Sequence, residues 1–258
     1  MNTKIRASVM VLTLLLSTSA TYATPSNQGN PSAQASKGLA AVCAGLPTRI
    51  ALETALKAAR AEKNGGFNLD MWATVVNRAG IVCAIAYSGA DVGDQWPGSR
   101  VISAQKANTA NAFSLPNLAL STANLFTATQ AGGSLFGLQA SNPVDTAAAY
   151  AGDFAKYGTN KDALVGKKIG GINVFGGGLA LYDATGKLLG GLGVSGDSSC
   201  ADHNIAWRTR VNLALDKTPG GVGPDNTDGI DYTVGSGWAH PVCSKDAQDI
   251  ALEIKAGK

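Results

Sequence analysis

Histidine, methionine, cysteine and aromatic residues are all scarce in this chain: of 258 residues two are His, three Met and four Cys, and Phe, Trp and Tyr together make up 6%. No Cys-x-x-Cys pair and no Cys/His cluster of zinc-finger spacing is present, which argues against a structural zinc module. Charge is sparse as well. The 21 Lys and Arg against 18 Asp and Glu form no basic stripe, so a surface built to neutralise nucleic-acid phosphates is excluded. The cleanest apolar run, Val9 to Leu16, falls far short of the roughly 20 residues a membrane-spanning helix needs. The Gly-x-Ser-x-Gly nucleophile elbow is missing and nothing orders a Ser-His-Asp triad, so no motif indicates an enzyme.

What is there begins with an export signal. Lys4 and Arg6 precede the apolar run, small residues follow from Ser17 to Ala20, and Thr21 and Ala23 stand at the −3 and −1 positions of a cleavage site. Residues 1–23 therefore read as a signal peptide, and the mature protein is expected in the periplasm or secreted. Residues 24–45 read as a flexible leader, rich in Pro, Ser, Asn, Gln and Gly as far as Gly38. Residues 46–215 are expected to fold as one domain, and 216–258 as a C-terminal extension. An even number of cysteines in an exported chain favours disulfides; of the three possible pairings, Cys200 with Cys243 is the one expected.

Periodicity places the elements. Ile50, Leu52, Ala55, Leu56 and Ala59 recur at helical spacing after Thr48, a candidate N-cap, and stop at Asn64-Gly65-Gly66. β-rich runs at 69–76 and 81–87 flank Asn77-Arg78-Ala79-Gly80 as a hairpin, and a second hairpin is expected from 172–182 and 187–194 around Asp183-Ala184-Thr185-Gly186. Helices are expected over 99–112, 118–129 and 201–215, with irregular chain to about Gly166 and a Gly, Pro and Asp-rich surface segment over 216–233. The order suits an antiparallel sheet of about five strands with helices on its faces.

Several short patterns invite chemistry. Gly191-x-Gly193-x-x-Gly196 matches a dinucleotide fingerprint, but it closes a hairpin strand without a βαβ unit, and an exported protein meets little NAD. A more modest expectation is that Ser195 and Gly196 present backbone N–H groups at a helix start where a ligand carboxylate sits. Ser103-x-x-Lys106 has the spacing of a nucleophile and base, without the companion motifs of that enzyme class. Asp225, Asn226, Asp228 and Asp231 form an oxygen-rich loop that lacks EF-hand spacing. The two histidines, His203 at the start of the last long helix and His240 in Gly237-Trp238-Ala239-His240-Pro241-Val242-Cys243, can each ligate a metal, including a haem iron. A Cys200–Cys243 bond would bring both into one neighbourhood.

Taken together, Ala51 to Ala59, the hairpin around Val75 to Val82, Ala104 to Ala110 and Leu188 to Asp197 resemble the GlcG/HbpS-like family of haem-binding proteins over roughly residues 46 to 215. The most specific part is the glycine-rich strand running into Val194-Ser195-Gly196. The resemblance implies a profilin-like α/β/α sandwich with a five-stranded antiparallel sheet, assembly into homo-oligomers and haem as the ligand. Exported members also have the tail ending in Gly-Trp-x-His-Pro-x-Cys, here Gly237 to Cys243, whereas the stretch between Leu115 and Gly166 is longer than in short members. The leading expectation is an extracytoplasmic haem-binding or haem-handling protein using His203, His240, Ser195 and Gly196. The alternative is a periplasmic accessory protein that binds a partner or a small organic acid without iron.

Overall fold

The computed structural model describes residues 38–256; the signal segment and residues 24–37 of the leader lie outside the described residues. Helix α1 (Arg49–Ala61) opens where the Thr48 hydroxyl accepts the Ala51 N–H at 3.2 Å, and it buries Leu52, Ala55, Leu56 and Ala59 along one stripe. Strands β1 (Trp72–Asn77) and β2 (Val82–Tyr87) pair antiparallel across a turn in which Asn77 Oδ1 accepts the N–H groups of Ala79 and Ile81, and Gly80 adopts φ 75°. Helix α2 (Ser99–Phe113) follows. The second hairpin is β3 (Gly178–Tyr182) and β4 (Leu188–Ser195), and the chain ends with α3 (Ser199–Asn212) and α4 (Lys245–Ala256).

The sheet runs β2-β1-β4-β3 with every neighbour antiparallel. Alternation along β1 sends Ala73 and Val75 to a core shared with α1 and α3, including Leu56, Leu192 and Trp207. Trp72 and Val76 point to the other core, with Val101, Ala104 and Ala107 of α2 and with Leu164 and Ile169. The glycines of β4 have their reason here. A Cβ on Gly193 would lie 1.9 Å from the Ser103 carbonyl oxygen, and one on Gly191 would lie 2.3 Å from that of Ala107. The glycine-rich strand is thus where the small-residue face of α2 rests directly on the sheet, and it cradles no nucleotide.

Four strands are present among the described residues, one fewer than the resemblance implies. At the start of β2, Gly166 and Lys167 exchange backbone hydrogen bonds with Val82, and Lys168 bridges Ile81. The ladder goes no further because Gly170 and Gly171 turn with φ of 61° and 78°. Likewise 172–177 is not strand: β3 begins only after Gly177, at φ 114°. The helix expected over 118–129 is reduced to a 3-10 turn at Ala123–Leu125 and a single turn at Phe126–Thr129. There Asn124 Oδ1 accepts both the backbone N–H and the hydroxyl of Ser121, a side-chain cap that competes with a longer helix.

The segment after α3 does not simply run over the surface. Asp228 and Ile230 are fully buried, and α4 packs Ala247 and Ala251 against Cys200. Among the described residues, three buried ion pairs fasten the non-sheet segments: Arg100 to Asp162 at 2.5 Å, Lys106 to Asp202 at 2.6 Å and Arg210 to Asp228 at 2.5 Å. Disulfides join Cys43 to Cys83 and Cys200 to Cys243. The first ties the segment before α1 to β2. No helix among the described residues is long and apolar enough to cross a membrane.

Candidate functional site

The corner singled out by the sequence lies where β4 gives way to α3. Ser198 caps α3 by accepting the Ala201 N–H. Ser195 is buried, its hydroxyl 3.5 Å from Lys106 Nζ. The N–H groups of Gly196 and Asp197 point into the turn, and their acceptor is the protein's own Asp202, whose Oδ1 lies 3.1 and 2.8 Å away. Asp202 Oδ2 takes Lys106 Nζ at 2.6 Å, and the same ammonium donates to the Val194 carbonyl. Burial pushes the Asp202 carboxyl up to about 6 against the pull of Lys106. An internal carboxylate therefore occupies the anion position offered by this glycine turn.

Both histidines are buried and neutral, and they differ in what their lone pairs do. His203 Nε2 accepts the backbone N–H of Ile230 at 3.0 Å, which puts the ring proton on Nδ1 and ties the tail to α3. Burial holds its pKa well below the ordinary imidazole value. Its lone pair is committed. His240 has Nδ1 2.8 Å from the Pro241 carbonyl oxygen, so Nδ1 carries the proton and Nε2 carries the free lone pair. That Nε2 is buried and has no hydrogen-bond partner. Burial lowers the His240 pKa to about 4. The ring lies 5.0 Å from that of Phe126, which in turn is 6.2 Å from Phe175, whose side chain is 45% exposed.

The disulfide joins these two histidines to one structure. Cys200 stands one helical turn before His203, and its Sγ is 4.0 Å from His240 Nδ1. Thr127 holds the strap from outside, with its N–H and hydroxyl both donating to the Ala239 carbonyl. His203 and His240 thus belong to one neighbourhood, built from α3, the Ala123–Thr129 turns and the strap 231–243. Clefts of about 340, 510 and 610 Å³ elsewhere on the surface include neither ring.

The remaining motifs resolve into packing. Ser103 donates to the Arg100 carbonyl and pairs with Thr74 Oγ1, while Lys106 reaches Asp202, so the two are engaged separately. Asp228 is spent on Arg210 and Asp231 on the Thr233 N–H, so the acidic loop is not gathered around a cation. Sequence reasoning did not find Phe126 and Phe175. No local signal marks them, because their meeting depends on a contact between segments some fifty residues apart.

A family model described as "Haem degrading protein HbpS-like" matches residues 48–209. The chain belongs to the HbpS-like family. Among solved structures, the HbpS-like chain resembles a PduOC:haem complex with 22% identity and a TM-score of 0.45, over 66% of this chain and 95% of that one. Klebsiella pneumoniae protein ORFY gives 22% and 0.40, over 75% and 97%, and HbpS gives 21% and 0.38, over 64% and 88%. No curated protein matches. The HbpS-like match runs from the N-cap of α1 into α3, so it includes Ser195, Gly196, Cys200 and His203 and stops short of His240 and Cys243.

Proposed function

We propose that this protein binds haem outside the cytoplasm, with His240 Nε2 as the iron ligand and Phe126 and Phe175 as the apolar wall beside it. The observation that carries the reading is the lone pair of His240: a neutral imidazole, oriented through Nδ1 by Pro241, with a buried Nε2 that nothing in the protein uses. A buried acceptor without a partner costs stability, and an iron ligand would satisfy it. An imidazole fixed through one nitrogen and free at the other is how haem irons are commonly held. His203 serves as the anchor of the tail, and Ser195 and Gly196 support it through the Lys106–Asp202 pair.

Export is supported by the signal-like N-terminus and by two disulfides, and a haem-related role by the family. The profilin-like sandwich belongs to the same reading, with α2 on one face of the sheet, α1 and α3 on the other, and residues 166–168 in place of a fifth strand. So does assembly into homo-oligomers. When bound, the haem would supply an iron centre for ligation or redox chemistry; the chain's own part is to position one imidazole and to exclude water with the two phenyl rings.

The test is a haem titration of the mature, disulfide-bonded protein followed in the Soret region, with His240→Ala and His203→Ala beside it. A saturable shift that His240→Ala abolishes, and that a folded His203→Ala retains, supports the assignment. A shift indifferent to His240→Ala moves the ligand elsewhere. No saturable shift at all leaves the iron-free accessory role as the better reading.

A further inference from the structure

Cys200, Cys243 and His240 converge where the tail closes on the first turn of α3, and their ligating atoms all lie within 4.8 Å of one another. A tetrahedral zinc centre has Zn–S near 2.3 Å and Zn–N near 2.1 Å, which sets its ligand atoms roughly 3.5 to 4 Å apart. His240 Nδ1 is already 4.0 Å from Cys200 Sγ. The two sulfurs, now bonded, would have to part by less than about 2 Å.

The surroundings suit thiolates better than they suit a disulfide. The Cys200 N–H points at Cys243 Sγ at 3.3 Å, and the Cys243 N–H at Cys200 Sγ at 3.2 Å. A disulfide sulfur is a weak acceptor, whereas a metal-bound thiolate is held by such donors. Cys200 also sits in the first turn of a fourteen-residue helix, where the positive end of the macrodipole favours a thiolate. His240 faces Cys200 Sγ with Nδ1, so coordination there requires the ring proton, now donated to the Pro241 carbonyl, to move to Nε2. Cys243 is exposed, which gives reductant and cation a way in.

We propose that reduction of the Cys200–Cys243 bond turns this corner into a Cys₂His site for a zinc-like divalent cation. A dithiol supplies two electrons and two protons, opens the S–S bond to two thiols and departs as its own disulfide. Binding of the cation releases two protons as both thiols become thiolates; the imidazole, its proton shifted from Nδ1 to Nε2 and its bond to the Pro241 carbonyl given up, is the third ligand through Nδ1, and water the fourth. The site does not depend on haem binding, which belongs to the oxidised protein, although both would draw on the same ring.

The experiment uses the whole mature protein, reduced with dithiol, desalted without oxygen and titrated with Co²⁺. One equivalent is expected to bind with thiolate-to-cobalt charge-transfer absorption. Alkylation and mass spectrometry should then show Cys200 and Cys243 protected while Cys43 and Cys83 react in the same molecules. His240→Ala should weaken binding by about tenfold or more, and the oxidised protein should take up none. If reduction alone lowers the far-UV circular dichroism, one equivalent of Co²⁺ should restore it. The proposal is overturned if the reduced protein binds no cobalt, if protection falls on Cys43 and Cys83, or if His240→Ala changes nothing. The haem titration of the oxidised protein reads the other assignment separately.

Discussion

Lys106 of α2 and Asp202 of α3 meet across the end of β4, with Nζ and Oδ2 2.6 Å apart and both side chains buried. The contact joins α2 on one face of the sheet to α3 on the other, at the point where the β4 turn hands over to α3. Removing one partner strands the other charge away from water. Lys106→Met should therefore cost about 3 to 5 kcal/mol in urea unfolding. Lys106→Met combined with Asp202→Asn should cost much less than the sum of the single changes. Additive losses in that cycle would show that the pair is not energetically coupled.

Acid should loosen the tail before it attacks the sheet. Burial lowers the pKa of His240 to about 4 and that of His203 well below the ordinary value, so the unfolded chain binds more protons than the native one on the way down from about pH 6.5. Their contribution to stability is complete above that pH and is lost as pH falls through the native values. For His240 the loss is at most about 3 kcal/mol. Urea midpoints between about pH 7.5 and pH 4.5 should slope accordingly, and His240→Phe, which keeps a ring beside Phe126, should flatten the slope. An unchanged slope would mean that His240 titrates normally.

Gly193→Ala should be among the most damaging single changes, costing about 3 kcal/mol or more in thermal or urea unfolding, because the new methyl would meet the Ser103 carbonyl 1.9 Å away. Gly237→Ala, with nothing within 4 Å of the added carbon, is the control and should shift stability by less than about 0.5 kcal/mol. Equal effects at the two positions would refute the close packing of α2 on β4.

The Cys43–Cys83 bond closes a loop of 40 residues and holds the segment before α1 against β2. Loop-closure entropy puts an upper value of about 4 kcal/mol on its contribution. The Cys43→Ser/Cys83→Ser double variant should unfold at correspondingly lower urea and be cut first by protease near residues 38–45. Unchanged stability and cleavage would show that the leader is held by its other contacts, such as the Asn77 amide on the Val42 carbonyl.

Local pattern carried a good part of this architecture. Helices α1, α2 and α3 and both hairpin turns are legible because capping, period and turn chemistry act within a few residues of one another. Strand number and the reach of the tail are not, since they depend on where Gly170, Gly171 and Gly177 turn and on whether Arg210 finds Asp228. The same holds at the site. From residue types His203 and His240 are equivalent candidates, and Gly191 and Gly193 match a nucleotide fingerprint by spacing alone. Tertiary contacts separated them: Ile230 claimed the lone pair of His203, no group claimed that of His240, and α2 came to rest on the two glycines. A side chain's chemistry is written in the residue, but whether its lone pair is already spent depends on what the fold brings opposite it.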